Sequence, residues 1–169
     1  MAYRNKVFVS FDGDSDMSYY RLMLAWRKSD HSSFNFYNAH DLTSSRDSSL
    51  ELTIKSSLQQ RMINSKLFIL LVGANTRYLY KFVRWEIEQA IKRDLPIVCV
   101  NLNGLRHIDN ERCPAILRDE LALHVSFNSR IIERAINEWP SSKKNLEIQG
   151  RKGPFFYPED VYSLLGIVR

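Results

Sequence analysis

The chain has 169 residues, of which 44% are hydrophobic and 25% charged, and its net charge is +5 at pH 7. This length and balance predict one ordinary soluble domain with a buried core. The densest basic points, Lys143–Lys144 and Arg151–Lys152, are short and lack interleaved aromatic residues, so a nucleic-acid-binding protein is not indicated. The modest positive charge fits a small anionic ligand or cofactor as well as it fits nucleic acid.

Cysteine and histidine usage gives no sign of a disulfide framework or a metal site. Cys99 lies in an apolar run and Cys113 precedes a proline, so their spacing does not suggest zinc, and we expect two reduced thiols. Four histidines are far apart and are expected on the surface or in loops: His31, His40, His107 and His124. The first residues have no signal-peptide character and no apolar run reaches membrane length, so we expect a cytoplasmic protein.

In chain order, the first predicted elements are a strand and an acidic turn, DGDSD, at residues 12–16. The three alternate aspartates resemble the opening of a calcium loop, which needs glycine at its sixth position and glutamate at its twelfth. Met17 and Met23 occupy those positions, so calcium binding is not predicted. A solvated turn, with Ser15 or Asp16 capping the following helix, is the simpler interpretation.

Five short apolar segments predict β-strands. They cover residues 7–11, 34–38, 66–73, 96–102 and 124–127. The third segment, KLFILLVG, is continuously apolar, which is typical of a strand covered on both faces of a sheet. Apolar residues at helical spacing fill the gaps between the later strands. The three clearest helical segments cover residues 50–62, 79–91 and 131–139, and a shorter one is expected over 114–121.

Strands that alternate with helices indicate βαβ units. The expected fold is therefore α/β: a flavodoxin-like, doubly wound sheet of five parallel strands in three αβα layers, with ligands beyond the carboxyl ends of the strands. We place one domain at residues 1–140 and a C-terminal extension that packs on it at 141–169. The polar stretch 140–153 is expected to be a linker, and Pro158 is expected to start a short helix.

Several kinds of site that such a sheet can carry are not supported by the residues. A phospho-receiver domain needs an aspartate at the end of the third strand and a lysine at the end of the fifth. Here the third strand runs into Gly73-Ala74-Asn75 and the fifth into Phe127-Asn128-Ser129. One glycine after the first strand does not make a dinucleotide-binding motif, and neither a P-loop nor a nucleophile elbow is present.

Glu86, in the helix predicted over residues 79–91, is the strongest candidate for chemistry. The apolar stripe of this helix centres near Val83, and Glu86 falls about 65° from that centre, at the margin of the buried face. Phe82 and Trp85 lie beside it. Two interpretations stay open: a boundary residue with its carboxylate in water, or a carboxylate held among aromatic residues, with a raised pKa or a cationic ligand.

At this point the sequence resembles the TIR domain family. KVFVSFDGDSD resembles the first strand and AA loop of that fold. The stretch from NFYNAHDLTSSRD to PIVCVNLNG resembles its second strand, BB loop, helix B, third strand, helix C and fourth strand. The resemblance spans residues 5–139 and is strongest to bacterial TIR-like proteins of the Thoeris antiphage type, whose helix C carries a run similar to FVRWE at residues 82–86.

The resemblance implies a site on this chain. The essential glutamate of catalytic TIR domains matches Glu86, which makes it the implied catalytic residue, and no metal ligand is implied. The implied substrate-binding residues are Ser10, Phe11, Asp12, Asn38, Leu42, Phe82 and Trp85. Two positions depart from the family pattern, since many catalytic TIR domains have a basic residue in place of Asp12 and a glycine in the BB loop, residues 42–46 here.

Catalytic TIR domains cleave the nicotinamide–ribose bond of NAD, and some cyclise or transfer the ADP-ribose. The resemblance thus implies an NAD glycohydrolase or ADP-ribosyl cyclase of antiphage defence, with NAD as substrate and no separate cofactor. The implied partners are a separate effector, reached through a nucleotide product, and further copies of the chain, without nucleic acid or membrane. Two alternatives stay open: a non-enzymatic TIR-like interaction module, and a deoxyribosyltransferase-like enzyme that uses the same glutamate as nucleophile.

Overall fold

The computed structural model of the protein describes residues 6–29, 35–38 and 51–168, and of residues 29 and 35–38 the backbone alone. The strands in these ranges are β1 (Lys6–Ser10), β2 (Asn35–Asn38), β3 (Ser65–Val72), β4 (Ile97–Asn101), β5 (Leu123–Ser126) and β6 (Phe155–Phe156). The α-helices are α1 (Met17–Ser29), α2 (Glu51–Ile63), α3 (Phe82–Lys92), α4 (Ser129–Ile148) and α5 (Glu159–Leu164). Within these ranges, no helix combines the length and apolar character that crossing a membrane requires.

The strands form one sheet in the order β2-β1-β3-β4-β5-β6, and every neighbouring pair is parallel. The flavodoxin-like, doubly wound α/β fold predicted from the sequence is confirmed. Each of the five predicted strands begins and ends within one residue of the observed bounds. The short β6 was not predicted, and it extends the sheet beyond β5, where Phe155 pairs with Leu123.

Helices cover both faces of the sheet. α1 and α4 pack on one face, and α2 and α3 pack on the other. Successive residues of a strand point to opposite faces, so Val7 and Val9 lie towards α1 and α4, whereas Phe8 lies towards α2 and α3. β3 is central, and its residues from Leu67 to Val72 are fully buried, which explains its continuously apolar sequence.

The expectation of a linker over residues 140–153 is wrong, because α4 continues through Pro140 to Ile148. The buried face of this helix carries Lys143, whose Nζ donates to Asp94 Oδ1 at 2.7 Å and also binds the carboxylate of Glu147. These two carboxylates let a lysine occupy a buried position that an apolar residue would normally fill. A lysine and a proline thus interrupted the apolar stripe in the sequence without interrupting the helix.

The C-terminal segment packs on the sheet. α5 begins directly after Pro158, where the sequence places a short helix, and Tyr162 is fully buried. The Tyr162 hydroxyl accepts a hydrogen bond from the backbone N–H of Ser126 at 3.4 Å. Because α4 crosses residue 140 without a break, the proposed division of the chain at that residue stays a prediction.

Replacing Trp139 by alanine is expected to lower the free energy of unfolding by about 3–5 kcal/mol. The Trp139 ring is fully buried and stacks on Phe155 of β6 at 5.5 Å between ring centroids. Chemical denaturation measures the loss, and the matched control on the same helix is Ile148→Ala, since Ile148 is 80% exposed. Equal effects of the two substitutions would contradict a core that includes the C-terminal half of α4.

Candidate functional site

The candidate site lies at the carboxyl ends of β1 and β3, which are neighbours in the sheet. The chain leaves β1 towards α1 on one face and leaves β3 towards α3 on the opposite face. Diverging connections of this kind mark the topological switch point of a doubly wound sheet, where a crevice opens between the two loops. In the strand order 2-1-3-4-5, the side chains that follow β1 and β3 are therefore the candidates for binding or catalysis.

Glu86 lies in the second turn of α3 and is only 2% exposed. It shares the buried face of the helix with Val83, Ile87 and Ala90. The interpretation of Glu86 as a boundary residue with its carboxylate in water is therefore wrong. Burial raises the pKa of the Glu86 carboxyl to about 8, and the nearby Ser10 hydroxyl offsets part of that rise. At neutral pH the free carboxyl is thus largely protonated and becomes an anion readily when a positive charge approaches.

Ser10 is the last residue of β1, and it is fully buried on the same face of the sheet as Phe8. Its small side chain leaves room for the Glu86 carboxyl, with which it interacts. The contact lacks the geometry of a full hydrogen bond, and Ser10 Oγ and Glu86 Oε2 have no other partner in the described part of the chain. Buried polar atoms are nearly always hydrogen-bonded, so this pair is suited to receive polar groups of a ligand.

The acidic turn after β1 is only partly the solvated turn expected from the sequence. Asp14 is exposed, and its backbone N–H donates to Asp12 Oδ1 at 3.0 Å. Asp16, by contrast, is 6% exposed, so the expectation of a solvated side chain is wrong there. Burial and the neighbouring Asp12 carboxylate raise the pKa of Asp16, while Arg112 opposes them. The turn therefore places two buried carboxyl groups, those of Asp12 and Asp16, shortly after Ser10 in the chain.

The turn after β3 is fitted closely to the turn after β1. Asp16 packs against Gly73, where a Cβ atom would lie 2.2 Å from Asp16 Oδ2. Thr76 Oγ1 accepts the Gly73 N–H at 2.8 Å and donates to the Leu71 carbonyl at 3.2 Å, which fixes the exit from β3. Asn75 Nδ2 donates to Ser15 Oγ at 3.3 Å and joins the two turns directly. The two turns are thus held against each other by short-range contacts.

Replacing Gly73 by alanine is expected to lower the free energy of unfolding by about 1–3 kcal/mol, as overpacking does. The added methyl group would overlap the Asp16 carboxyl, which is buried against this position. Denaturation of Gly73→Ala, Asp16→Ala and the double variant measures the coupling between the two positions. The double variant should recover most of the Gly73→Ala loss, and strict additivity would contradict the contact.

The other residues implied by the resemblance occupy different surroundings. Phe82 and Trp85 are half-buried on α3, and Lys55 Nζ lies 5.4 Å from the Trp85 ring centroid. Phe11 lies on the opposite face of the sheet, stacked on Tyr20 at 5.0 Å, so it has a packing role and does not meet Glu86 there. A role for Phe11 in binding stays a prediction.

Two implied residues, Asn38 and Leu42, come from the second strand and the BB loop. Asn38 ends β2 and is the backbone pairing partner of Val9 in β1, so its chain position adjoins the crevice. Leu42 and the BB loop lie outside the described residues, as does His40. Asp12, with its carboxylate ordering the acidic turn, is nine-tenths buried and lies at the rim beside Asp16.

Sequence reasoning missed Arg112 as a residue of this region. Its positive charge lowers the pKa of Asp16 and of Asp109, although it belongs to the long connection between β4 and β5. Asp109 Oδ1 accepts the backbone N–H groups of Glu111 and Arg112 at 2.9 and 3.0 Å, which fixes the backbone at Arg112. An aspartate followed by this turn was a local signal for an ordered loop, but nothing in the sequence tied the loop to Asp16.

Comparison with known proteins agrees with the fold. The sequence matches the family described as Thoeris protein ThsB, TIR-like domain, over residues 8–107. That match includes the last three residues of β1, the acidic turn, β3, α3 and β4, and so contains Ser10 and Glu86. The comparison with curated proteins gave no match. The match confirms the resemblance read from the sequence, and the chain belongs to the TIR-like domain family of the Thoeris antiphage-defence protein ThsB.

Proposed function

We propose that this protein cleaves NAD at the nicotinamide–ribose bond and makes a nucleotide signal in antiphage defence. The observation that supports this proposal best is Glu86, a buried carboxyl group at the switch point of the sheet. The Ser10 hydroxyl is the polar side chain that acts on its pKa, and no cationic side chain of the described residues contributes to that pKa. Such a carboxyl group favours a positively charged ligand.

The proposed chemistry follows from charge. The nicotinamide ring of NAD is cationic, and its approach lowers the pKa of Glu86 from about 8, so that the carboxyl group loses its proton. The C–N bond to the ribose then breaks, and its electron pair leaves with neutral nicotinamide. The positive charge that develops on the sugar is stabilised by the adjacent carboxylate, as in glycoside hydrolysis. Water, or a nitrogen of the adenine ring, adds to the sugar; with water, a proton is released to solvent.

The remaining residues have proposed supporting roles. Ser10 orients the Glu86 carboxylate, and Phe82 and Trp85 offer aromatic surface beside it for the rings of the substrate. Arg112 supplies a positive charge near Asp16, which suits the negatively charged pyrophosphate. Asn38 and Leu42 are proposed to complete the site from the second strand and the BB loop. The protein is further proposed to act in the cytoplasm as a homo-oligomer, and its nucleotide product is proposed to reach a separate effector protein.

The proposal is tested by incubating the purified protein with NAD and following nicotinamide by chromatography. Wild type is compared with Glu86→Gln, which keeps the shape of the side chain and removes its charge. Glu88→Gln is the matched control, because Glu88 is exposed on the same helix and pairs only with Arg84 at 3.1 Å in the described contacts. Release that depends on Glu86 and not on Glu88 supports the enzyme.

The same assay separates the enzyme from a non-enzymatic interaction module. Lysate from phage-infected cells supplies any activating factor that the purified protein lacks, and host activity is measured in the same lysate without added protein and subtracted. Release in neither condition, together with partner capture that survives Glu86→Gln, would favour the interaction module. Cleavage of free nucleosides in place of NAD would favour the deoxyribosyltransferase-like alternative.

A further inference from the structure

A second cluster of reactive side chains lies in the core, away from Glu86. Cys99, Cys113 and His124 place a sulfur, a sulfur and a ring nitrogen within 4.8 Å of one another. Cys99 on β4 and His124 on β5 are directly paired neighbours in the sheet, so their side chains lie side by side on the same face. Cys113 comes from the connection between these two strands, residues 102–122, which returns over that face.

All three residues are fully buried. The expectation that the histidines lie on the surface or in loops is therefore wrong for His124. Neither ring nitrogen of His124 has a hydrogen-bond partner among the described residues. A buried imidazole without any partner is costly, because each polar nitrogen has lost its water without a replacement. The cluster thus contains two ring nitrogens without a hydrogen-bond partner among the described residues, although its side chains are closed to solvent.

The cluster consists of atoms that can donate electron pairs, namely two sulfurs and an imidazole nitrogen. The Cys113 sulfur lies within 4.8 Å of the Cys99 sulfur. Cys113 Sγ also lies 3.6 Å from the Pro114 carbonyl oxygen. Neutral imidazole and thiolate are the forms in which histidine and cysteine bind metals.

We propose that Cys99, Cys113 and His124 bind a zinc ion. Two thiolate sulfurs and one imidazole nitrogen form a donor set typical of zinc. The divalent ion with two thiolates and a neutral imidazole has no net charge, which is the least costly combination in a buried site. A monovalent copper ion with the same ligands would leave one negative charge in the core. Three protein ligands leave the fourth zinc position to a water molecule.

The ion would fasten the long connection between β4 and β5 to both strands. Near β4 the connection is held by Asn101 Nδ2, which donates to the carbonyls of Leu105 at 3.0 Å and His107 at 2.7 Å. Cys113 is a further point of attachment to the sheet face, and it directly follows Arg112, whose charge acts on Asp16. Zinc at Cys113 would therefore also fix the position of Arg112 at the candidate site, independently of the reaction catalysed there.

The first test needs no variant. Protein purified without chelator, then dialysed against metal-free buffer, should retain about one zinc ion per chain by elemental analysis. Protein refolded with Co²⁺ should show the intense absorption of thiolate–cobalt bonds. Absence of metal in both preparations would overturn the proposal, as would copper in place of zinc. A mass two hydrogens lower in the unreduced protein would show a Cys99–Cys113 disulfide and would also overturn it.

The second test uses His124→Leu, with His107→Leu as the control because His107 is exposed. Without a bound metal, leucine would remove two unpaired nitrogens from the core and should raise the melting temperature. With zinc bound, leucine removes a ligand, so the variant should retain roughly a tenth of the metal or less and melt at a lower temperature. A metal-free, more stable His124→Leu variant beside a metal-free wild type would contradict the zinc site.

Discussion

The Glu86→Gln variant is expected to be more stable than the wild type at pH 8, and the advantage should shrink steadily towards pH 4. Burial raises the pKa of Glu86 from 4.5 to about 8, so between these values the folded protein holds a proton that the unfolded chain has released. The stabilisation associated with the protonated carboxyl is complete below pH 4.5 and is lost as the pH rises to about 8. Glutamine does not titrate, so the variant does not lose folding stability in this pH range through this position.

The difference in unfolding free energy between the two proteins should change by about 1.4 kcal/mol per pH unit within that window, and by several kcal/mol across it. Urea denaturation at pH 5, 6.5 and 8 measures it, and the contributions of all other titrating groups cancel in the difference. Glu88→Gln, on the exposed face of the same helix, should differ from wild type by a similar small amount at each pH. A difference for Glu86→Gln that is the same at all three values would contradict a buried carboxyl group with a raised pKa.

At low NAD concentration, nicotinamide release is expected to rise about tenfold per pH unit up to about pH 8 and then to level off. Under these conditions the rate reports the free enzyme, in which the pKa of Glu86 is about 8, and the proposed mechanism uses the carboxylate. At saturating NAD the midpoint should lie at lower pH, because the bound nicotinamide cation stabilises the carboxylate.

Initial rates across pH 5–9, at NAD concentrations below and above KM, measure both midpoints. Release without protein at each pH is subtracted, and aliquots returned to pH 8 show whether the protein stayed folded during the assay. A rate that is constant from pH 5 to 8, or that falls with rising pH, would contradict the carboxylate mechanism. Equal midpoints at low and saturating NAD would contradict the proposed contact between Glu86 and the cationic ring.

The sheet was predictable because its signals are local. A strand buried on both faces, such as β3, must be apolar at every position, and the connections between parallel strands must be long enough for a helix. The C-terminal half of α4 was not predictable in the same way. Its buried Lys143 depends on Asp94, which lies 49 residues earlier in the chain, and no local pattern connects the two.

The candidate site likewise combines features with a local sequence signal and features that depend on residues distant in the chain. Helical periodicity brought Glu86 to the edge of the buried face, but it meets Ser10, a small residue at the end of a strand far away in sequence, and no local pattern connects the two. Asp16 was read as solvated because nothing in DGDSD indicates that one of its aspartates will pack against Gly73. His124 was read as a surface residue because its neighbours Cys99 and Cys113 come from two other segments.

One comparison tests the central claim most directly: nicotinamide release from NAD at pH 8 by wild type, Glu86→Gln and Glu88→Gln, purified alike and supplemented with the same infected-cell lysate. Loss of the group that stabilises the developing charge should reduce the Glu86→Gln rate by about 10²–10³-fold or more. The Glu88→Gln rate should stay within about twofold of wild type, since surface charges contribute little. A Glu86→Gln protein that is folded and releases nicotinamide as fast as wild type would contradict the assignment of Glu86 as the catalytic residue.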